Sequence, residues 1–266
     1  MIASTISTSR QPADKRPTMN VCALMIGRGG SSLKNKNVLP VLGVPLLLWG
    51  CSAARRSRYV NHYYISSDDP DILATAALAG FQPIRRPDYL ASDTARSTDA
   101  VRHALDLVEA NVGTMDIVVV MHANVGTVTA ELIDRCIDIL VKNPSASSVI
   151  PSHENAEYHP MRAKRVLEDG SLSSFFDGPI SPNRQELPTA VFFDHSFWVL
   201  RGRSVIFDPE GQEPWPCMGR RILPFVTQGC LDVHTLEDID RTAAWITANK
   251  VSPPEFDLRK LADEGI

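Results

Sequence analysis

The sequence has no C-x-x-C pair, no apolar run long enough to cross a bilayer, no excess of positive charge and neither of the common glycine signatures for nucleotide phosphates. Each absence excludes something. Its five cysteines, Cys22, Cys51, Cys136, Cys217 and Cys230, are odd in number and scattered, which argues against a disulfide framework or a structural zinc site and for a reducing, cytoplasmic home. The longest apolar candidate, Val41–Trp49, contains a glycine and a proline and falls well short of the ~20 residues that a membrane helix requires. A net charge of -4 gives no general pull towards nucleic acid or anionic lipid, so an anionic ligand must be drawn by a local basic cluster. Ser4–Arg16 is polar and lacks the apolar centre of a secretory signal; residues 1–18 read as a disordered extension, with Met19 as an alternative start. A Walker A loop and the dinucleotide fingerprint G-x-G-x-x-G are both missing.

What is present suits one large α/β domain, or a domain with an arm: 266 residues, 44% hydrophobic and 22% charged, enough to bury a full core without staples. The organising stretch is Ile26-Gly27-Arg28-Gly29-Gly30-Ser31 with Lys36-Asn37, directly after the apolar run Val21–Met25. Paired glycines at the end of a β-run admit positive φ and let consecutive N–H groups line a concavity for an anion. Arg28 and Lys36 bracket that concavity, one a planar fork, the other a point charge. By composition this is a polyphosphate cradle.

Further along, strand and helix patterns alternate. Pro45–Arg56 reads as a helix with proline in its first turn and cations at its end, His62–Ile65 as a strand, and Asp68 or Asp69 as the cap of a helix over Asp71–Ala79 that stops at Gly80. Phe81–Ile84 is a short strand, Thr98–Val108 a helix, Asp116–Met121 a continuous apolar run fit for a central parallel strand, Glu131–Lys142 a helix and Ala146–Ile150 a strand. This order predicts a doubly wound, mostly parallel sheet, with ligands at the carboxyl ends of its strands. From His153 to Phe193 the helical period vanishes, and short β-type pieces (162–167, 190–193) alternate with glycine and proline, as in an inserted arm. Phe197–Leu200 and Ile222–Val226 return to the sheet, and Thr235–Lys250 is a final helix with Thr235 as its cap. Cys230-Leu231-Asp232 reads as a strand end, and His122 stands at the end of the central strand. Trp49 and Trp245 read as core, and Asp134, Asp138, Asp238 and Asp240 as solvated positions.

From about Met19 to Asn249 the chain resembles the acylneuraminate cytidylyltransferases, which activate sialic acid, legionaminic acid, pseudaminic acid and related nonulosonic acids. The resemblance rests on separated motifs: Arg28-Gly29-Gly30-Ser31 with Lys36-Asn37, Ile65–Asp69, Arg86-Pro87 with Leu90–Thr94 and Ser97, Tyr158-His159-Pro160, Arg184–Pro188, and Asp232–Asp238. It implies a Rossmann-like nucleotidyltransferase domain over 19–250, a dimerisation arm over 153–193 and a tail over 251–266. It implies that CMP passes from CTP to the anomeric hydroxyl of a nine-carbon 2-keto sugar acid, with release of pyrophosphate, in a homodimer that uses Mg²⁺.

Residue by residue, the resemblance puts Arg28, Lys36 and Asp232 in the catalytic set, and Arg28, Gly29, Gly30, Ser31, Lys36, Asn37, Arg86 and Ser97 around the nucleotide. It puts Asp232 on the metal, and His122, Asn124, Arg162, Trp198 and His234 on the acceptor side, with Trp215 nearby. The departures gather on that acceptor side. The segment 121–128 reads Met-His-Ala-Asn-Val-Gly-Thr-Val, so the family's glutamine and arginine are His122 and Val128; its second metal-side aspartate is His234, and its asparagine-glycine pair is Asp194-His195. Two other readings stay open: a synthetase for the eight-carbon acid 3-deoxy-manno-octulosonic acid, and a sugar-nucleotide-binding homologue without catalysis.

Overall fold

The computed structural model describes residues 19–30, 33–155 and 157–257. The extension 1–18, Ser31 and the end of the tail lie outside those residues.

Among the described residues, twelve strands and six α-helices follow in order: β1 Val21–Ile26, β2 Pro40–Val41, β3 Val44–Pro45, α1 Leu46–Arg56, β4 His62–Ser67, α2 Pro70–Ala77, β5 Gln82–Arg85, α3 Ser97–Val112, β6 Ile117–His122, α4 Ala130–Lys142, β7 Ser148–His153, β8 Lys164–Val166, β9 Leu172–Ser174, β10 Phe192–Phe193, β11 Phe197–Arg201, α5 Arg203–Ile206, β12 Ile222–Thr227 and α6 Leu236–Ala248. The main sheet runs β10-β7-β11-β6-β1-β4-β5, with β12 also paired to β7. β5, β4, β1 and β6 are mutually parallel; β11 runs against both β6 and β7, so β7 and its parallel neighbour β12 share the direction of β6. Six strands therefore end at one edge, as the alternating pattern predicts.

β1 carries the core between two layers. All six of its residues are buried; Val21, Ala23 and Met25 pack on the side of α1, α2, α4 and α6, while Cys22, Leu24 and Ile26 pack on the side of α3 and α5. An apolar run without alternation is what a strand covered on both faces requires. α1 starts one residue later than its sequence pattern suggests, because Pro45 still pairs in β3 and acts as the cap. Asp69 caps α2, its carboxylate accepting from Asp71 N at 2.8 Å and Ile72 N at 3.3 Å, with Pro70 in the first turn. Thr235 caps α6 in a reciprocal capping box with Asp238, which corrects the reading of Asp238 as a merely solvated carboxylate. Asp134 and Asp138 are corrected likewise: Asp134 accepts from Ser57 Oγ at 2.6 Å, and Asp138 meets Arg58 at 2.5 Å and the Tyr59 hydroxyl, so this face of α4 clasps the turn after α1.

Between β7 and β11 the chain makes its excursion. Within it β8 and β9 form a hairpin, with Gly170 at φ 81° in its turn. Tyr158, Val166, Leu172, Phe175 and Phe176 are all exposed there. On return, β10 pairs with the end of β7 and β11 with its beginning. The break between them is Asp194-His195-Ser196, where His195 holds a φ of 50°.

Candidate functional site

A cleft of about 360 Å³ opens at the carboxyl ends of β1, β5 and β6. Its floor is the turn after β1. Gly27 donates its N–H to Ser66 O at 3.2 Å, and a side chain there would meet Ala123 Cβ at 2.8 Å. Gly29 is needed for a different reason from the one its sequence suggests. Neither Gly29 nor Gly30 has positive φ; a Cβ on Gly29 would lie 2.5 Å from Asp69 Oδ2, and its N–H donates to Asp68 Oδ1 at 3.1 Å. Gly29 thus lets the loop close on the cap of α2, and its amide is already used.

Four cations line the cleft, Arg28, Lys36 and Arg86, with Arg96 on its rim. Arg28 reaches across it, its Nη1 donating to Ser92 O at 3.0 Å and Asp93 Oδ1 at 2.8 Å. Lys36, in a short 3-10 turn, has its pKa lowered by burial, while Asp232 pulls it up and Arg28 pushes it down, which puts all three charges in one neighbourhood. Arg86 is buried; its Nε donates to Ser66 Oγ at 3.2 Å and Nη2 to Ser66 O at 2.7 Å. Burial lowers it to about 10, against the pull of Asp68, so it remains a cation at neutral pH. Asn37 is buried beneath them, donating to Arg28 O at 3.1 Å and so fixing the turn that presents Arg28.

The opposite wall is acidic and aromatic. Asp232 does not end a strand, as the sequence suggests: β12 stops at Thr227, and Asp232 bridges to Val125 beyond a turn. Its carboxylate accepts from the Asn124 amide and lies 3.0 Å from His234 Nε2. His122 lies between this wall and the sheet, its ring edge-on to Trp198 at 4.9 Å. Burial lowers its pKa to about 4, so it is neutral at physiological pH, and its Nδ1 is buried without a protein partner among the described residues. Among the described residues no group of three or more His, Cys, Asp and Glu side chains is disposed to hold a metal ion. One carboxylate beside a cluster of cations would suit Mg²⁺, which keeps several waters, better than a metal that demands a full protein cage.

Residues 23–194 match the cytidylyltransferase family. The chain belongs to that family. It is a nucleotidyltransferase enzyme. Over 180 residues, 67% of this chain and 77% of the relative, it is 24% identical to the pseudaminic acid cytidylyltransferase of Campylobacter jejuni (strain 81-176). Over 88 residues, 33% of this chain and 21% of the relative, it is 33% identical to the N-acylneuraminate cytidylyltransferase of Escherichia coli O18:K1:H7. The fold is similar to that of a CMP:2-keto-3-deoxy-manno-octonic acid synthetase complexed with CTP, with a TM-score of 0.64 and 18% identity over 87% of this chain and 100% of the other.

In this cytidylyltransferase the cleft gathers Arg28, Lys36, Asn37, Arg86, Ser97, His122, Asn124 and His234. Asp232 stands behind Asn124. Gly30 is exposed at the loop tip and has nothing near its Cβ direction, whereas Ser31 falls outside the described residues. Trp198 is 1% exposed and does not line the cleft; it backs His122 instead. Trp215 packs on His195 at 4.5 Å. Arg162 is exposed on the arm, away from the cleft lining. Three features had no distinct signal in the sequence: the Asp93 partner of Arg28, Arg96 on the rim paired to Glu213 at 2.9 Å, and His195, whose ring feels both Asp194 and Asp232. The last is traceable in retrospect to a bulky residue held at positive φ, a strained choice that points to a built site.

Proposed function

We propose that the enzyme transfers CMP from CTP to the anomeric hydroxyl of a nine-carbon 2-keto sugar acid of the pseudaminic or sialic type and releases pyrophosphate. The observation that carries this reading is the meeting of Arg28, Lys36 and Arg86 with Asn124 and His122 in one cleft of a cytidylyltransferase, with Asp232 hydrogen-bonded to Asn124 behind it. In-line attack on the α-phosphorus builds charge on the leaving β,γ-phosphates, so the demand on the protein is positioning and fixed positive charge. Arg28 and Lys36 answer it, once Arg28 exchanges Asp93 for phosphate. Arg86 and Ser97 face the base and ribose, and Asn37 acts beneath them by holding the loop. Asp232 is the residue that would hold Mg²⁺, which neutralises phosphate charge when bound. The named activity of the Campylobacter jejuni relative favours a nine-carbon acid over the eight-carbon alternative.

We also assign the arm to a homodimer. Val166, Leu172 and Tyr158 are 71%, 67% and 69% exposed, and Val166 pairs with Leu172 across the hairpin, apolar surface that a partner chain would cover. Arg162 would then serve the neighbour's acceptor pocket. Pyrophosphate release from CTP, ATP, GTP and UTP is measured with pseudaminic acid, N-acetylneuraminic acid and 3-deoxy-manno-octulosonic acid. CTP with one of the nine-carbon acids is the expected pair. Turnover of the eight-carbon acid alone would replace the acceptor, and binding of CTP without turnover of any acid would leave a nucleotide-binding homologue.

A further inference from the structure

His153 and Asp194 form a dyad that the reading above does not use. β7 and β12 share the direction of β6, so His153 and Thr227 end their strands at the sheet edge that carries His122 and the cleft. Asp194 crosses between them. Its side chain is 2% exposed, with Oδ1 2.7 Å from His153 Nδ1 and Oδ2 accepting from the Thr227 hydroxyl. Its backbone is pinned as well: its N–H donates to Pro151 O at 2.9 Å, and its carbonyl accepts from the Cys230 thiol.

A carboxylate whose two oxygens both accept requires that His153 Nδ1 carry the proton. The neutral ring then presents a lone pair on Nε2. The ring is stacked on Phe192 at 5.9 Å, and the side chain is 32% exposed, so its orientation is fixed while the ring stays reachable. An imidazole oriented by a buried carboxylate is the arrangement by which proteins build a proton acceptor. The chain connects the dyad to the cleft wall. Asp194 is followed by His195, whose ring lies 6.5 Å from that of His122 in the cleft wall, and whose charge environment includes both Asp194 and Asp232.

We propose that His153, oriented by Asp194, is the base that takes the proton of the attacking sugar-acid hydroxyl; this rests on the cytidylyl transfer proposed above. The hydroxyl oxygen forms the new bond to the α-phosphorus. The bond from that phosphorus to the α,β-bridging oxygen breaks, and its electron pair leaves with pyrophosphate. The hydroxyl proton passes to His153 Nε2, and Asp194 stabilises the imidazolium. Beside this carboxylate, His153 meets Phe192 and Gly229, neither of which carries a side-chain charge.

The competing role is mechanical: the pair sits at the root of the arm and would simply pin it. Three measurements separate the two, using CTP and whichever nine-carbon acid the wild type turns over. His153→Gln should lower kcat by about 10²–10⁴-fold with the KM for CTP unchanged, and the dependence of kcat on imidazole deprotonation should vanish. Added imidazole should restore turnover in His153→Gly. Nitrogen NMR of the wild type should find the neutral His153 ring protonated on Nδ1, and Asp194→Asn should shift that tautomer. A His153→Gln enzyme within about threefold of wild-type kcat, a His153→Gly enzyme deaf to imidazole, or a proton on Nε2 overturns the proposal, and the NMR result decides it if the variants fail to fold. Should the wild type turn over no acid, the transfer reading falls and the base role with it; turnover by the wild type with an equally fast His153→Gln enzyme removes the base role alone.

Discussion

Arg28 Nη1 lies 2.8 Å from Asp93 Oδ1 across the mouth of the cleft. Both partners are substantially exposed, 38% and 91% at the side chain, so the pair contributes about 1 kcal/mol or less and a triphosphate can displace it. Removing the competitor should therefore help the ligand slightly. Asp93→Ala is expected to bind CTP up to about fivefold more tightly at low salt, with the gain fading as salt rises, in calorimetric titrations. Weaker binding would mean that Asp93 positions Arg28 rather than competing for it.

Lys36→Ala removes a charged donor from the same neighbourhood. A hydrogen bond to a charged group is worth about 1.5–3 kcal/mol, so CTP affinity should fall roughly 10- to 150-fold while the melting temperature holds. CTP affinity equal to wild type would take Lys36 out of the phosphate site.

Gly29→Ala tests the close approach of the loop to the cap of α2. The added methyl group must displace the Asp69 carboxylate that holds Asp71 N and Ile72 N, so a loss of about 0.5–2 kcal/mol in urea unfolding is expected, together with weaker CTP binding. Asp69→Ala should reproduce the stability loss.

His122 supplies a pH dependence. Burial takes it to about 4, so between roughly pH 6.5 and that value the unfolded chain binds a proton that the folded chain refuses. Stability accordingly falls as pH drops through this window, by at most about 3 kcal/mol from this one group. His195, also lowered by burial, adds in the same direction. Urea midpoints measured from pH 7 to 4.5 should decline less steeply in His122→Asn than in wild type, and parallel slopes would mean that His122 is solvated.

The alternation of strands and helices was legible because each long element announces itself by local chemistry: an unbroken apolar run in β1 and β6, Asp69-Pro70 ahead of α2, Thr235 ahead of α6. Elements of two to four residues, such as β2, β3, β9 and α5, carry too little pattern to be read. Within the site, Arg28, Lys36 and Asn37 stand beside their glycines and could be found, and the buried Arg86 came through the family's third motif. Long-range pairs could not be read in this way. Asp134 and Asp138 look like an ordinary wet helix face until the turn after α1 is folded onto them. His153 and Asp194 lie 41 residues apart and meet only because β10 re-enters beside β7.

That re-entry has a consequence for how such a protein changes over time. Phe192 pairs with His153 and Phe193 with Ser152, so the chain leaves the sheet and comes back at the same rung. To the remaining strands the excursion is a closed detour, and the entropy of closing it grows only with the logarithm of its length. Segments of different size and character can be exchanged there without shifting the register of a single strand. What the arm carries is therefore inherited separately from the cleft that it accompanies.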